Sequence, residues 1–429
     1  MDGFAELHKL MLNAGRCRRI GGTTPAVPWS AAVPQRSVLV RARVATALLF
    51  LLFGITLGAW TVRIPAIKRD LSLDDGGLSI ALLAFAAGAI TGMQLTGRLV
   101  DRFGSRRVML PVAFAEGLVL IPPAYAPNLA TLAAALFVFG AVHGTLNIAM
   151  NAHAIEVQRA WQRPIMSSFH AVYSIGGFIG ASAGGLFAHA GVGPRTTFTA
   201  VGGTMLAFAA WSAWWALPRT APAPRSTEPS GQDGPVRGVL FLGVLVCCAL
   251  VGEGAAADWS AVYLRDNLHS SAGFAAAAFA AFSVAMTVTR LFGDRLTTRF
   301  GPVLLVRASG LLAAGGLGAA LLIDAPPAGV AGFACLGAGM ALIAPQVYSA
   351  AGDRNPDAAG RALARVVGIG YLGFLLGPVV IGGASKAVGL PGALAIPVVL
   401  SLFVAATAPA LRPRRPSPTN PADLTTTIS

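Results

Sequence analysis

Twelve stretches of apolar residues, each about as long as a bilayer is thick, recur along the chain and leave little choice of architecture. They fall at 44–62, 77–97, 108–126, 130–152, 166–188, 197–217, 238–262, 273–293, 302–323, 328–350, 363–384 and 391–411. A helix rising about 1.5 Å per residue needs about 20 apolar residues to cross a hydrocarbon core of about 30 Å. A membrane barrel would show segments of about ten residues with alternating polarity, and these runs do not alternate. The sequence therefore predicts an all-α polytopic membrane protein with twelve transmembrane helices. Composition agrees: 12% of residues are charged, 55% are hydrophobic and 51 are Gly, where soluble domains carry about 25% charged residues.

A net charge of +14 raises nucleic acid as a partner, but no domain-sized polar stretch exists to carry a basic face. Lys and Arg instead mark the cytoplasmic side of a membrane protein. With an inside start, the outer loops hold six of the 32 basic residues: Arg63, Lys68, Arg69, Arg195, Arg265 and Lys386. The others, Arg290 included, count with the inner segments. Both termini are then expected in the cytoplasm of a bacterium, with the helices in its inner membrane. The expected divisions are a cytoplasmic extension (1–43), a six-helix bundle (44–217), a Pro-rich cytoplasmic linker (218–237), a second six-helix bundle (238–411) and a cytoplasmic tail (412–429). Residues 1–43 have no hydrophobic core ahead of Val44, so they read as an extension rather than a cleaved signal. Cys17, Cys247, Cys248 and Cys335 form no CxxC pair, and no metal site or cofactor is expected.

The chain resembles itself at an offset of 197 residues. RLVDRFG (98–104) aligns with RLTTRFG (295–301), Gly140-Ala141 with Gly337-Ala338, and Gly176, Gly180 and Gly185 with Gly373, Gly377 and Gly382. One offset across separate helices implies a duplicated six-helix unit. Such repeats place a site at their interface near the bilayer midplane, where alternating access operates. Gly176, Gly180 and Gly184, and again Gly373 and Gly377, stand four residues apart, spacings that let helix backbones approach closely.

Between the second and third spans stands GRLVDRFGSRR. Its Gly97, Asp101, Arg102, Gly104 and Arg106 resemble the loop signature of the major facilitator superfamily. RPIMSSFHAVYSIGGFIGA (163–181) and EGAAADWSAVYL (253–264) further resemble bacterial permeases near the fucose-permease-like branch. The resemblance implies a fold of two pseudo-symmetric six-helix bundles. It also implies that Asp101 latches the cytoplasmic side by docking on span 11, with Arg361 or Arg365 as partner, while Arg106 serves topology. In the second copy Thr298 takes the aspartate's place, so a second latch is expected to be weaker or differently built.

Ionisable groups in hydrocarbon are costly and normally face a cavity or a partner. Glu116 lies about 12 Å into span 3, Glu253 about 22 Å into span 7 and Asp258 about 30 Å along it, near the outer boundary. The resemblance implies that span 7 lines the central cavity, which makes Glu253 a candidate for the solute or the proton. The alternative for Glu253 is an interhelical hydrogen bond, and Glu116 is a candidate of lower rank because the resemblance implies that span 3 sits outside the cavity. Span 4 carries His143, Asn147 and Asn151 at i, i+4 and i+8, and span 5 carries Ser167, His170 and Ser174 at i, i+3 and i+7. Both stripes suit either hydrogen bonds to a polyol-like ligand or bonds between helices. Trp60 is balanced between stacking on a sugar face and anchoring at the interface, whereas Trp259 reads as an anchor. Gln94, Gln346 and Tyr348 complete the polar candidates.

The expected activity is secondary active transport by a monomer: proton-coupled symport of a small polar or sugar-like solute, with proton-driven efflux of amphiphilic compounds as the alternative. No GK[ST] phosphate loop occurs among the three lysines, which argues against an ATP-driven pump. Neither GxSxG nor HExxH surrounds the intramembrane histidines, so a membrane enzyme or a sensor is a remote alternative.

Overall fold

The computed structural model describes residues 36–215, 236–354 and 358–412. Most of the expected extension (1–35), most of the linker (216–235) and the tail beyond Arg412 lie outside them. Helices account for nearly all the described residues, and no strand occurs among them. In chain order they are α1 (Arg36–Asp70), α2 (Asp75–Phe103), α3 (Ser105–Val119), α4 (Leu129–Trp161), α5 (Met166–His189), α6 (Pro194–Trp215) and α7 (Val236–Val262). Residues Ala272–Ile323 follow as one run of 52 residues, longer than a bilayer can take in one pass. Gly301, at φ 72° and ψ 164°, divides the run into α8 (272–300) and α9 (302–323). The tenth helix, α10, comes in two pieces, Pro326–Met340 and Ile343–Arg354. Gly389 ends α11 (359–388), and α12 (Ala395–Thr407) closes the set.

Among the described residues nine helices are long and apolar enough to cross a membrane by length and composition. One of the nine contains both α8 and α9. The remaining two of the twelve are short of that mark for visible reasons: α6 is diluted by threonines and tryptophans, and α12 is brief. The result is twelve membrane helices in two bundles of six. The first helix includes residues 36–43, ahead of the apolar run, so that Arg41 and Arg43 are helical.

Local signals place the helix ends. Asp74 caps α2 by accepting from the Gly77 amide, Asn128 and Thr131 form a reciprocal capping box before α4, and Ser271 caps α8. Pro302 opens α9, where its missing N–H removes nothing from the helix. Within each bundle the same partners meet: α1 packs on α5 as α7 on α11, α2 on α4 as α8 on α10, and α3 on α6 as α9 on α12. The 197-residue repeat is visible in single contacts. A methyl group on Gly140 would collide with the Phe85 carbonyl oxygen, and one on Gly337 with that of Phe282, the same pair displaced by the repeat. Between bundles the main seams are α2 with α11 and α5 with α8.

The repeated loops share their backbone as well. Gly104 ends α2 at φ 85° and ψ 149°, much as Gly301 ends α8, in a region that residues with a Cβ rarely enter. No atom lies within 4 Å of a Cβ placed at either position, so the cost of a substitution there is conformational. Gly104→Ala and Gly301→Ala are each expected to destabilise the fold by about 1–3 kcal/mol, read from unfolding in detergent micelles. Gly203→Ala, on an open helical face, serves as the control with no loss.

Candidate functional site

On the face that carries the 2–3, 4–5, 8–9 and 10–11 connections, two carboxylates each hold the start of a helix in the opposite bundle. Asp101, in the last turn of α2, accepts from the amides of Gly360 (2.8 Å) and Arg361 (3.2 Å) at the start of α11. The Arg361 guanidinium adds an ion pair at 3.0 Å. A helix N-terminus presents unpaired N–H groups and the positive end of its dipole, so a carboxylate suits it twice over. Gly97 makes this fit possible, because a Cβ there would stand 2.8 Å from the Cβ of Ala364. Of the other loop residues, Arg106 donates to the Ala213 carbonyl at the end of α6 (2.9 Å), and Arg102 lies over the Phe103 ring.

The second copy is built one turn away. Thr298, at the position equivalent to Asp101, only bonds back to the Asp294 carbonyl. Asp294 itself, equivalent in the repeat to Gly97, accepts from the amides of Ser167 (2.9 Å) and Ser168 (3.1 Å) in the first turn of α5. The Gly293-Asp294-Arg295 sequence was the available signal, overlooked because the repeat alignment directs attention to Thr298. Gln158 ties the same face together by accepting from the amides of Ile165 and Met166 and donating to Ser349 of α10. Arg159 reaches Asp353 at 3.2 Å. Gln346 lies beside this cluster, where its amide donates to Thr297 (2.7 Å) and lines a cavity of about 370 Å³ with Asp294 and Gln158.

Deeper in, polar groups of both bundles meet. Arg290 of α8 is only 7% exposed. Its Nη1 donates to Ser174 of α5 at 2.6 Å, and its Nε to the Ala341 carbonyl at 3.3 Å. That carbonyl is free for a readable reason: its helical donor would be the N–H of residue 345, which is Pro345. The guanidinium thus sits at the interruption of α10, at the negative end of its first piece, which helps to match a charge in an apolar medium. Counting loop arginines hides Arg290, although it stands ten residues inside α8, about 15 Å from its end.

Glu253 of α7 is half-buried and within Coulombic reach of Tyr173, Tyr348 and Tyr371, and two of these, Tyr173 and Tyr348, also feel Arg290. Asn147 donates to Tyr371 across the bundles at 3.5 Å. Asn151 instead turns back on the carbonyl of Asn147. His170 packs between Phe50 and Tyr348, its buried Nε2 without a hydrogen-bond partner. Glu253, Asn147 and His170 therefore gather around one place, joined by Arg290, Tyr173 and Tyr371.

The other candidates sit apart. Trp60 is buried inside the first bundle against Phe139 and Phe198. Glu116 and His143 are fully buried and face each other, Oε1 to Nδ1, at 2.6 Å. Asp258 is exposed, and Trp259 is half-buried, its ring near Gly382.

The family model described as Major Facilitator Superfamily matches residues 44–262 and 240–426, one match for each half. The chain belongs to the major facilitator superfamily. It is therefore a membrane transporter, not an enzyme. Among curated members, an uncharacterized transporter of Sinorhizobium fredii, y4wD, is 35% identical over 371 residues, covering 85% of this chain and 96% of that one. Among solved superfamily structures, FucP in the outward conformation, the E. coli fucose:proton symporter, aligns with a TM-score of 0.73 at 16% identity, over 88% of this chain and 100% of that one. The proton:xylose symporter XylE aligns at 0.66 and 14% identity, over 86% of this chain and 95% of that one. At such identities these two likenesses speak to fold.

Helix-start carboxylates contribute about 1 kcal/mol or more each, so losing one should be measurable at a distance. Cysteines placed at Ile155 and Gly352, which touch across the bundles, are expected to cross-link readily in a cysteine-free background. Adding Asp294→Ala is expected to slow that cross-linking by about tenfold, as read from band shifts on gels.

Proposed function

We propose that the protein carries a small polar or sugar-like solute together with protons across the bacterial inner membrane, as a monomer working by alternating access. The face bearing Asp101 and Asp294 is cytoplasmic in this reading, with both termini on that side, and the structure corresponds to the state closed there. The observation that carries the proposal is the polar cluster where the two bundles meet. Hydrophobic packing alone would not place Arg290, Glu253, Asn147, His170 and three tyrosines from six helices around one point, since intramembrane charge is costly unless used. Hydroxyl, amide and guanidinium groups in this mixture suit a hydroxylated ligand. Glu253 supplies the carboxyl that loses its charge on taking up a proton. The likeness in fold to a fucose:proton and a proton:xylose symporter supports the same reading.

Alternation follows from the latches. Opening the cytoplasmic face strips both carboxylates from the amides they hold, two contacts of about 1 kcal/mol each. That is the scale on which a bound ligand can shift a two-state equilibrium.

Uptake by proteoliposomes of the purified chain, offered a panel of deoxysugars, pentoses and polyols with and without an inward proton gradient, tests the proposal. Gradient-dependent accumulation of at least one compound is expected. Gradient-independent equilibration of all of them would rule out coupling. Asp101→Asn is expected to cut the uptake rate by about tenfold while the protein still reaches the membrane. Glu253→Gln should abolish accumulation against a gradient yet preserve counterflow exchange.

A further inference from the structure

The Glu116–His143 pair lies outside the solute cluster but close behind it. Both side chains are fully buried within the first bundle, and Glu116 Oε2 has no hydrogen-bond partner. The Phe53 ring of α1 stacks on the His143 imidazole, centroids 3.8 Å apart and planes 11° from parallel. Past it, Phe53 meets the Tyr173 ring at 5.6 Å. Tyr173 already belongs to the cluster, since it precedes Ser174, the partner of Arg290, and lies within reach of Glu253. One aromatic ring therefore separates a buried carboxylate and imidazole from the place where solute is proposed to bind. Phe53 is itself held in register with Tyr173, because the next residue, Gly54, abuts the Tyr173 carbonyl oxygen so closely that no Cβ would fit.

We propose that Glu116 and His143 form a second proton-holding site and that Phe53 is its gate to the solute cavity. This rests on the proton-coupled reading above. Loading takes one proton from water in the cavity and converts the pair from carboxylate with neutral imidazole, net charge −1, to carboxylate with imidazolium, net charge zero. Unloading returns that proton by the same route. In apolar surroundings the uncharged combination is the stable one, because an uncompensated buried charge is far costlier than a pair. A stacked aromatic face also favours the imidazolium.

The surroundings add no competing charge. From α2 the pair meets Phe85, from α4 itself Phe139, and from α1 Phe53. The contact of α3 with α6 beside Glu116 is made by Gly117 with Gly202 and Met205. The titratable groups toward α5 and the second bundle are Tyr173, then Glu253 and Arg290 beyond it. Among the described residues neither Glu116 nor His143 makes another ion pair. The loaded pair is thus sealed while Phe53 is in place, and it can exchange its proton only when the ring swings aside.

Histidine-labelled full-length protein in lipid nanodiscs, followed by NMR without any solute, tests this directly. The His143 signal is assigned by its loss in His143→Gln. The wild-type imidazole is expected to carry both ring protons, held by the Glu116 carboxylate, and to exchange them slowly with solvent. Glu116→Gln should convert the His143 signal to that of a singly protonated ring. Phe53→Ala, with Phe53→Leu as the milder variant should the first fold poorly, should speed exchange by about tenfold or more. An imidazole that is singly protonated in the wild type, or whose signal ignores Glu116→Gln, would refute the store. Exchange unchanged in both Phe53 variants would refute the gate. A failure of gradient-driven uptake would count against symport instead and would leave these spectra as they are.

Discussion

Hydrocarbon can neither accept nor donate a hydrogen bond, and this one fact governs where most charged side chains of the described helices are found. Helices satisfy most of the backbone internally. What remains are the ends and interruptions, and those are where the charged side chains sit. Asp101 and Asp294 lie at the first amides of α11 and α5, Arg106 at the last carbonyls of α6, and Arg290 at the carbonyl that Pro345 frees in α10. The buried charges near helix ends are in this sense completions of the backbone. Glu116 and His143 have no such role, which is why they stand out.

The duplication explains both the likeness of the halves and a divergence between their carboxylates. Glycines at equivalent places hold equivalent helix pairs, and Gly104 and Gly301 turn the chain in the same way. Yet the carboxylate of the second half has moved by one helical turn, and the amides it holds have moved with it. The interaction survives because both partners shifted by the same rise along their helices.

Much of the fold was legible in the sequence, because span length and the 197-residue offset are one-dimensional signals. For Asp101 the sequence left Arg361 and Arg365 open as partners, and the ion pair is with Arg361. The site was less legible. His143, Asn147 and Asn151 read as one stripe, but a helical face drifts, and the structure sends the first toward Glu116, the second toward Tyr371 and the third back on its own helix. Pairing Glu116 with His143 required knowing that α3 and α4 run antiparallel in contact, which no spacing states. Arg290 was concealed by the rule that made the topology readable, since basic residues near inner loops count as orientation signals. Trp60 lies in the interior of its bundle, against Phe139 and Phe198, neighbours that no spacing along its own helix could reveal.

A helix start offers several equivalent backbone donors, whatever side chains stand there. Half of each contact is therefore independent of sequence: the amides of Gly360 and Arg361 serve in one, those of Ser167 and Ser168 in the other. A lock whose receiving half is written in the backbone can be relocated by changing a single acidic residue, and its strength tuned without redesigning the partner. Divergent descendants of one duplication can drift in this way in how firmly each side of the seam holds.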